Sequence, residues 1–252
     1  MHNPPVLDGT SPSWERRNEK VASQLAREIA RGIASGPLPP GSALESEAAM
    51  IERYQVSRAS LREALRILET QGIITIKPGP GGGPLVSEVD STDFGRMATL
   101  YFQVLGVRLG DVVDSRLAIE PVMAALAAQR DDPEAKQELV EIARAGWDAD
   151  SQADWLRLSD AFHTHVVGMS GNKLLGLVAR ALKDIYTTRV AGLVFPPAEK
   201  DHVRTVHDKI AQAIVGGNAK RAEQLMREHM EEYAKNLVAR HPSLMEEVVD
   251  WR

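Results

Sequence analysis

Strand signals occur at one place in this chain. Ile73-Ile74-Thr75-Ile76 is a β-branched run, Lys77-Pro78-Gly79-Pro80-Gly81-Gly82-Gly83-Pro84 is a run of turn formers, and Leu85-Val86-Ser87 follows. Two short strands around a Gly/Pro tip read as a hairpin. Three helices are predicted before it. Val21, Leu25, Ile29 and Ile33 recur at four-residue spacing until Gly36, Pro37, Pro39 and Pro40 end the pattern. A second helix is expected near residues 47–53 with Ser46 as its N-cap. A third runs from a Ser57 cap to about Gln71, with Leu61, Ala64, Leu65 and Leu68 on one face and Gly72 as the stop. After Asp90 the patterns are amphipathic helices, expected near 92–105, 109–130, 133–148, 151–169, 173–190, 200–216 and 219–239. The fold class that follows is mainly α: an N-terminal winged helix-turn-helix with a two-stranded wing, then a C-terminal all-α bundle. Residues 1–13 read as a disordered leader, 14–88 as the winged domain, 89–95 as a linker, 96–240 as the helical domain and 241–252 as a tail.

A length of 252 residues suits two such domains, each with its own core. The absence of cysteine excludes a disulfide framework, a cysteine-ligated zinc finger and a cysteine nucleophile. The first twenty residues hold no apolar run, and no later stretch reaches about 18 uninterrupted apolar residues. No signal peptide or membrane span is expected, and the location expected is cytoplasmic. The net charge of -5 hides an asymmetry, because residues 14–85 hold ten Lys or Arg against eight Glu and no Asp. That excess is too small to imply nucleic acid by itself, so the placement of the charges carries the argument.

Three helices and a hairpin can seat one helix in a major groove while the hairpin touches the neighbouring backbone. On the third helix Arg58, Arg62 and Arg66 form a stripe about a quarter turn from Leu61, Leu65 and Leu68. Arginine pairs bidentately with guanine. Ser57, Arg58 and Ser60 lie at the helix N-terminus, where free N–H groups favour phosphate. The competing reading is a solvated face paired with Glu63 or Glu69. Glycines at the wing tip allow close backbone approach to DNA, although the tip lacks an arginine or histidine to read a minor groove.

Pro40-Gly41-Ser42-Ala43-Leu44-Glu45-Ser46-Glu47, Val56-Ser57-Arg58-Ala59-Ser60-Leu61-Arg62-Glu63-Ala64-Leu65 and Leu68-Glu69-Thr70-Gln71-Gly72-Ile73 resemble the winged-helix signature of the GntR family of transcriptional regulators. Phe162-His163, Ser170-Gly171-Asn172, His207 with Ala213-Ile214 and Gly217-Asn218, and His229 are similar to the FCD ligand-binding domain of its FadR subfamily. The resemblance implies a homodimer on a short palindromic operator in double-stranded DNA. The DNA contacts expected are Ser46, Ser57, Arg58, Ser60, Arg62, Lys77 and Gly79. The chain departs from the pattern at Ala48, where the family usually has arginine, and at Gln55, where it usually has glycine.

By spacing alone, three histidines on three helices are ordinary polar or core residues. The resemblance implies that His163, His207 and His229 bind a divalent metal, zinc or nickel first, together with an aspartate four residues before the first histidine. That position is Ser159 here, and Asp160 is the nearest carboxylate. Two readings stay open: Asp160, His163, His207 and His229 hold an ion whose open positions take an effector carboxylate, or the histidines line a metal-free pocket. Arg116 and Arg189 are candidates to clamp an acidic effector, with local ion pairs as the competing reading. His165 and His202 read as ordinary polar residues, and Asn172 as a helix cap. No catalytic residue is assigned. A metal-dependent hydrolase lacks any further nucleophile or oxyanion device, and an effector-free DNA binder does not need so long a helical domain. The expectation is a DNA-binding transcriptional regulator, by family a repressor, released or retained by a small carboxylate.

Overall fold

A computed structural model of the chain describes residues 13–36, 38–79, 82–88, 91–145, 151–190, 193 and 196–250, with the side chains of 13–20 and 197 left aside. The chain divides into two compact units, Met1–Val89 and Asp90–Arg252.

The first unit contains α1 (Ser13–Ser35), α2 (Glu47–Tyr54), α3 (Arg58–Thr70), β1 (Ile74–Lys77) and β2 (Gly83–Val86). Its core follows the four-residue spacing of the sequence. Ala22, Leu25, Ala26 and Ile29 of α1 meet Leu61, Ala64, Leu65 and Leu68 of α3, with Met50 and Ile74 closing the sides. Each buried leucine contributes about 1.5–3 kcal/mol. α2 and α3 both start on serine caps: Ser46 Oγ accepts from Ala49 N at 3.2 Å, and Ser57 Oγ from Ser60 N at 3.1 Å. Between them Gln55 takes the left-handed conformation, φ 51°, and donates its side-chain amide to Glu52 O at 2.6 Å. The backbone geometry that glycine would take freely is thus kept with a bulkier residue.

The hairpin is antiparallel, Ile74 opposite Val86 and Lys77 opposite Gly83. A third segment, unread in the sequence, covers the other edge of β2: Gly41 N donates to Val86 O, Leu44 N to Pro84 O, and Val86 N to Ser42 O, all at 2.8–2.9 Å. α1 starts earlier than its apolar pattern, at Ser13; the rest of the expected leader, 1–12, lies outside the described residues.

The second unit contains α4 (Ser91–Leu105), α5 (Leu109–Gln129), α6 (Pro133–Ala145), α7 (Gln152–Met169), α8 (Lys173–Val190), α9 (Pro197–Val215), α10 (Ala219–Arg240) and α11 (Pro242–Met245). α5 is the central helix and packs on α7, α8, α9 and α10. Most of its circumference is covered, Val112, Val113, Met123, Ala124 and Ala127 included, and only a narrow face with Asp111, Asp114, Ala118 and Val122 stays exposed. α8 is capped as expected, Asn172 Oδ1 accepting from Leu175 N at 3.1 Å.

The structure redraws both expected connectors. Of the linker 89–95, residues from Ser91 onward are already helical, and Ser91 and Gly95 are buried. The tail is part of the fold: Met245 and Val249 enter a core with Leu109, Leu182 and Leu237, and Val249 N donates to Val107 O at 2.9 Å. Short polar segments hid these apolar anchors. α9 starts at Pro197, proline suiting a first helical turn. The expected end of α6 near Asp148 falls outside the described residues. Among the described residues no helix is long and apolar enough to cross a membrane.

Candidate nucleic-acid interface and metal centre

α3 turns its leucines inward, which leaves Arg58, Arg62 and Arg66 exposed on the outer face. Glu47 of α2 reaches Arg62 Nε at 3.4 Å, and Glu63 lies 3.9 Å from Arg66. Among the described residues Arg58 forms no ion pair. Exposed pairs of this kind hold about 0–1 kcal/mol, so these guanidinium groups can exchange partners at little cost. Ser60 does not face outward with them: it is buried, and its Oγ lies 3.0 Å from Ser57 Oγ. Ser46 is spent as the α2 cap. Lys77 ends β1, exposed, and Gly79 beyond it has φ 95° with open space where a Cβ would stand.

In the second unit four helices converge on one buried point. His163 of α7, His207 of α9 and His229 of α10 bring ligand nitrogens within 4.8 Å of one another. His229 Nε2 lies 3.3 Å from both His163 Nε2 and His207 Nε2. All three side chains are buried, and Phe162 stacks on His207 with ring centroids 4.0 Å apart. The fourth helix, α5, supplies Glu120, whose Oε2 lies 2.6 Å from His163 Nδ1 while Oε1 accepts from Arg116 Nε at 2.6 Å. A proton on His163 Nδ1 then leaves its Nε2 lone pair facing the other two rings.

The electrostatics favour the neutral form of two of these imidazoles, His207 and His229. Burial first, then the charges His229 and His163 would carry, hold His207 well below the usual range. Burial, then His163, brings His229 to about 3. Burial would raise Glu120, but Arg116 and then His163 pull it down to about 2. Two unprotonated rings, with an ionised carboxylate bonded to the third, suit a divalent cation. The residues fit a metal through three nitrogens.

Asp160 does not join them. Its Oδ2 accepts from Lys183 Nζ at 2.9 Å and its Oδ1 from Thr187 Oγ1 at 3.0 Å. One residue closer to His163 than the family aspartate, it is rotated along α7 toward α8. It still lines, with Ser159, Arg116, His163, His229 and Tyr186, a cavity of about 50 Å³ next to the histidines. Arg116 is buried there with its guanidinium 4.5 Å over the Tyr186 ring. Arg189 lies apart from that cavity, donating to Val248 O at 2.8 Å and pairing with Asp250 and Glu247 of the C-terminal segment. The ion-pair reading describes Arg189 better than an effector clamp.

His165 Nε2 lies 2.7 Å from Ala135 O and His202 Nε2 2.8 Å from Glu232, both outside the three-histidine cluster. Sequence reasoning missed Glu120, Tyr186 and Tyr233. Glu120 carried a usable signal: it stands four residues after Arg116, on the same helix face.

Residues 111–232 match the FCD domain, and residues 21–82 match the bacterial regulatory proteins, gntR family. The HTH-type transcriptional regulator Mce2R of Mycobacterium tuberculosis is 31% identical over 216 residues, covering 81% of this chain and 87% of the relative. LutR of Bacillus subtilis, another HTH-type transcriptional regulator, is 28% identical over 210 residues, covering 79% of this chain and 92% of its own. The structure of Streptococcus agalactiae GntR superposes with a TM-score of 0.67 at 24% identity, covering 85% of this chain and 99% of that one, which bears on the fold alone.

Proposed function

Because the chain belongs to the GntR family, with an FCD domain following its winged helix, it is a DNA-binding transcriptional regulator and not an enzyme, and we propose that a small carboxylate bound beside the three histidines controls its hold on DNA. The observation that carries this reading is the convergence of three buried imidazole nitrogens beside a cavity that His163, His229 and Arg116 line.

His163, His207 and His229 would hold a divalent ion, zinc or nickel, both of which take imidazole readily. When bound, the ion offers open positions to a carboxylate oxygen. Glu120 orients His163 for that role, and Arg116, held by Glu120, offers its guanidinium to the same ligand. Ser159 stands where the family aspartate would, so the ligand set is neutral and an anionic effector completes it. On the DNA side a homodimer places two α3 helices on a palindromic operator, with Ser57, Arg58 and Arg62 at the groove and Lys77 and Gly79 at the flanking backbone. Ligand acts by favouring one of two arrangements of the helical unit, and repression released by ligand is the sign we adopt.

The experiment is elemental analysis of untagged protein by plasma mass spectrometry, alongside a His163→Ala, His207→Ala double variant. Near-stoichiometric zinc or nickel that vanishes in the variant is the expected result. A metal-free protein that also fails to take up either ion on reconstitution overturns the metal reading. The cavity is then one in which the histidines hydrogen-bond the ligand directly.

A further inference from the structure

Lys183 of α8 stands between two carboxylates. Its Nζ lies 2.9 Å from Asp160 Oδ2, 3.0 Å from Asp184 Oδ1 and 3.3 Å from Thr164 Oγ1. Three acceptors thus meet the three protons of one ammonium. The side chain is 15% exposed, so water competes poorly for it.

Each carboxylate has a second oxygen, and each second oxygen leads elsewhere. On Asp160 it accepts from Thr187 Oγ1 at 3.0 Å, and both residues line the cavity beside the histidines. On Asp184 it accepts from Ser91 Oγ at 2.9 Å. Ser91 is buried and is the first residue of α4. One turn further along, Gly95 faces Ala181 of α8 so closely that a Cβ on it would sit 3.5 Å from the alanine Cβ. The head of α4 is therefore held against α8 by the Ser91–Asp184 hydrogen bond and the close Gly95–Ala181 contact among others.

We propose that Lys183 is the middle of a polar relay, from Asp160 through Lys183 and Asp184 to Ser91, by which occupation of the cavity sets the position of the head of α4. α4 is the helix that follows the DNA-binding unit in the chain. An anionic ligand entering beside Asp160 competes for Thr187 and repels the Asp160 carboxylate toward Lys183. One ammonium shared by two carboxylates cannot tighten on Asp160 without loosening on Asp184, and Ser91 feels the change. Lys183 is a positioning residue here; it need not touch the ligand. The input to the relay rests on the effector reading above. The measurement that tests it uses no ligand, so failure of the relay leaves that reading standing.

That measurement is hydrogen–deuterium exchange on the full-length protein, comparing a peptide over residues 91–99 with a control peptide inside α10. Asp160→Asn, which frees Lys183 for Asp184, is expected to lower exchange at the head of α4 about five-fold, and Ser91→Ala at the other end to raise it about five-fold, with α10 unchanged. In a Lys183→Met background Asp160→Asn is expected to shift exchange by less than about two-fold, and Lys183→Arg restores its effect. A merely structural lysine does not produce that non-additivity. The relay is overturned if Asp160→Asn leaves α4 unchanged or raises its exchange, if its effect persists in full beside Lys183→Met, or if α10 changes equally. Should Lys183→Met fail to fold, the cycle runs with Thr187→Val and Asp184→Asn, and additivity there overturns the proposal in the same way.

Discussion

The two units place their charges in opposite ways. In the winged unit Arg58, Arg62 and Arg66 stand on an exposed helix face over a core with no buried charge among the described residues. In the helical unit Arg116, Glu120 and three histidines are buried inside the bundle. Exposed guanidinium groups bind their acidic neighbours weakly and stay available for phosphate or base edges. Buried ones are fixed in direction by their partners, and every missing partner is costly. The first arrangement suits a surface that exchanges water for DNA, and the second suits a site that must present aimed donors to a small ligand.

The largest break in that comparison comes from removing a buried partner. Glu120→Leu leaves Arg116 without its carboxylate and is expected to cost about 3–5 kcal/mol in urea unfolding of the helical unit. A cost under about 1 kcal/mol would mean that the pair behaves like a surface one. Next, zinc at one hundred times its dissociation constant should raise stability by about 2.7 kcal/mol, read as a higher melting temperature. The same addition should do nothing to a His207→Ala, His229→Ala variant; an equal shift there would place the ion elsewhere.

On the exposed side, Arg58→Ala should weaken operator binding by about 1–3 kcal/mol in fluorescence anisotropy, with the melting temperature unmoved. Unchanged affinity would remove α3 from the role of reading helix.

A gentler effect is expected of alkali. Burial and then Tyr233 raise Tyr186 well above its ordinary value, and burial raises Tyr233. For Lys183 burial works downward, but Asp160 and then Asp184 raise it overall. Groups raised on folding stabilise below their unfolded values and lose that contribution as pH climbs through the folded ones. Thermal melts of the helical unit should therefore fall above about pH 10, the unfolded value of these groups. A flat profile to pH 11 would show that Tyr186, Tyr233 and Lys183 titrate as they do in water. The smallest change is expected from Glu47→Ala, whose exposed contact with Arg62 holds under about 1 kcal/mol; a larger loss would show that the exposed face is built like the buried centre.

What could be read in advance followed the reach of each interaction. The leucines of α3, the caps Ser46 and Ser57 and the Gly/Pro hairpin tip act within a few residues, so periodicity and turn chemistry exposed them. The covering segment Gly41 to Leu44 and the anchoring of Val249 depend on backbone partners forty or more positions away, and nothing local marks them. Asp160 shows the limit inside one helix. It was the nearest carboxylate to His163 by spacing, yet Lys183 and Thr187 on α8 claim both its oxygens.

By itself, then, the sequence determined two helical units and an outward arginine stripe on α3, because local periods fix which face each residue takes, whereas the three histidines became candidates only through the family resemblance. Only the tertiary structure decided that those histidines meet, that Glu120 aims one of them, that Ser60 turns inward and that Arg189 serves the C-terminal segment. Each of these depends on which helices become neighbours. That choice is made by burying apolar faces over the whole bundle, a sum over residues far apart in the chain.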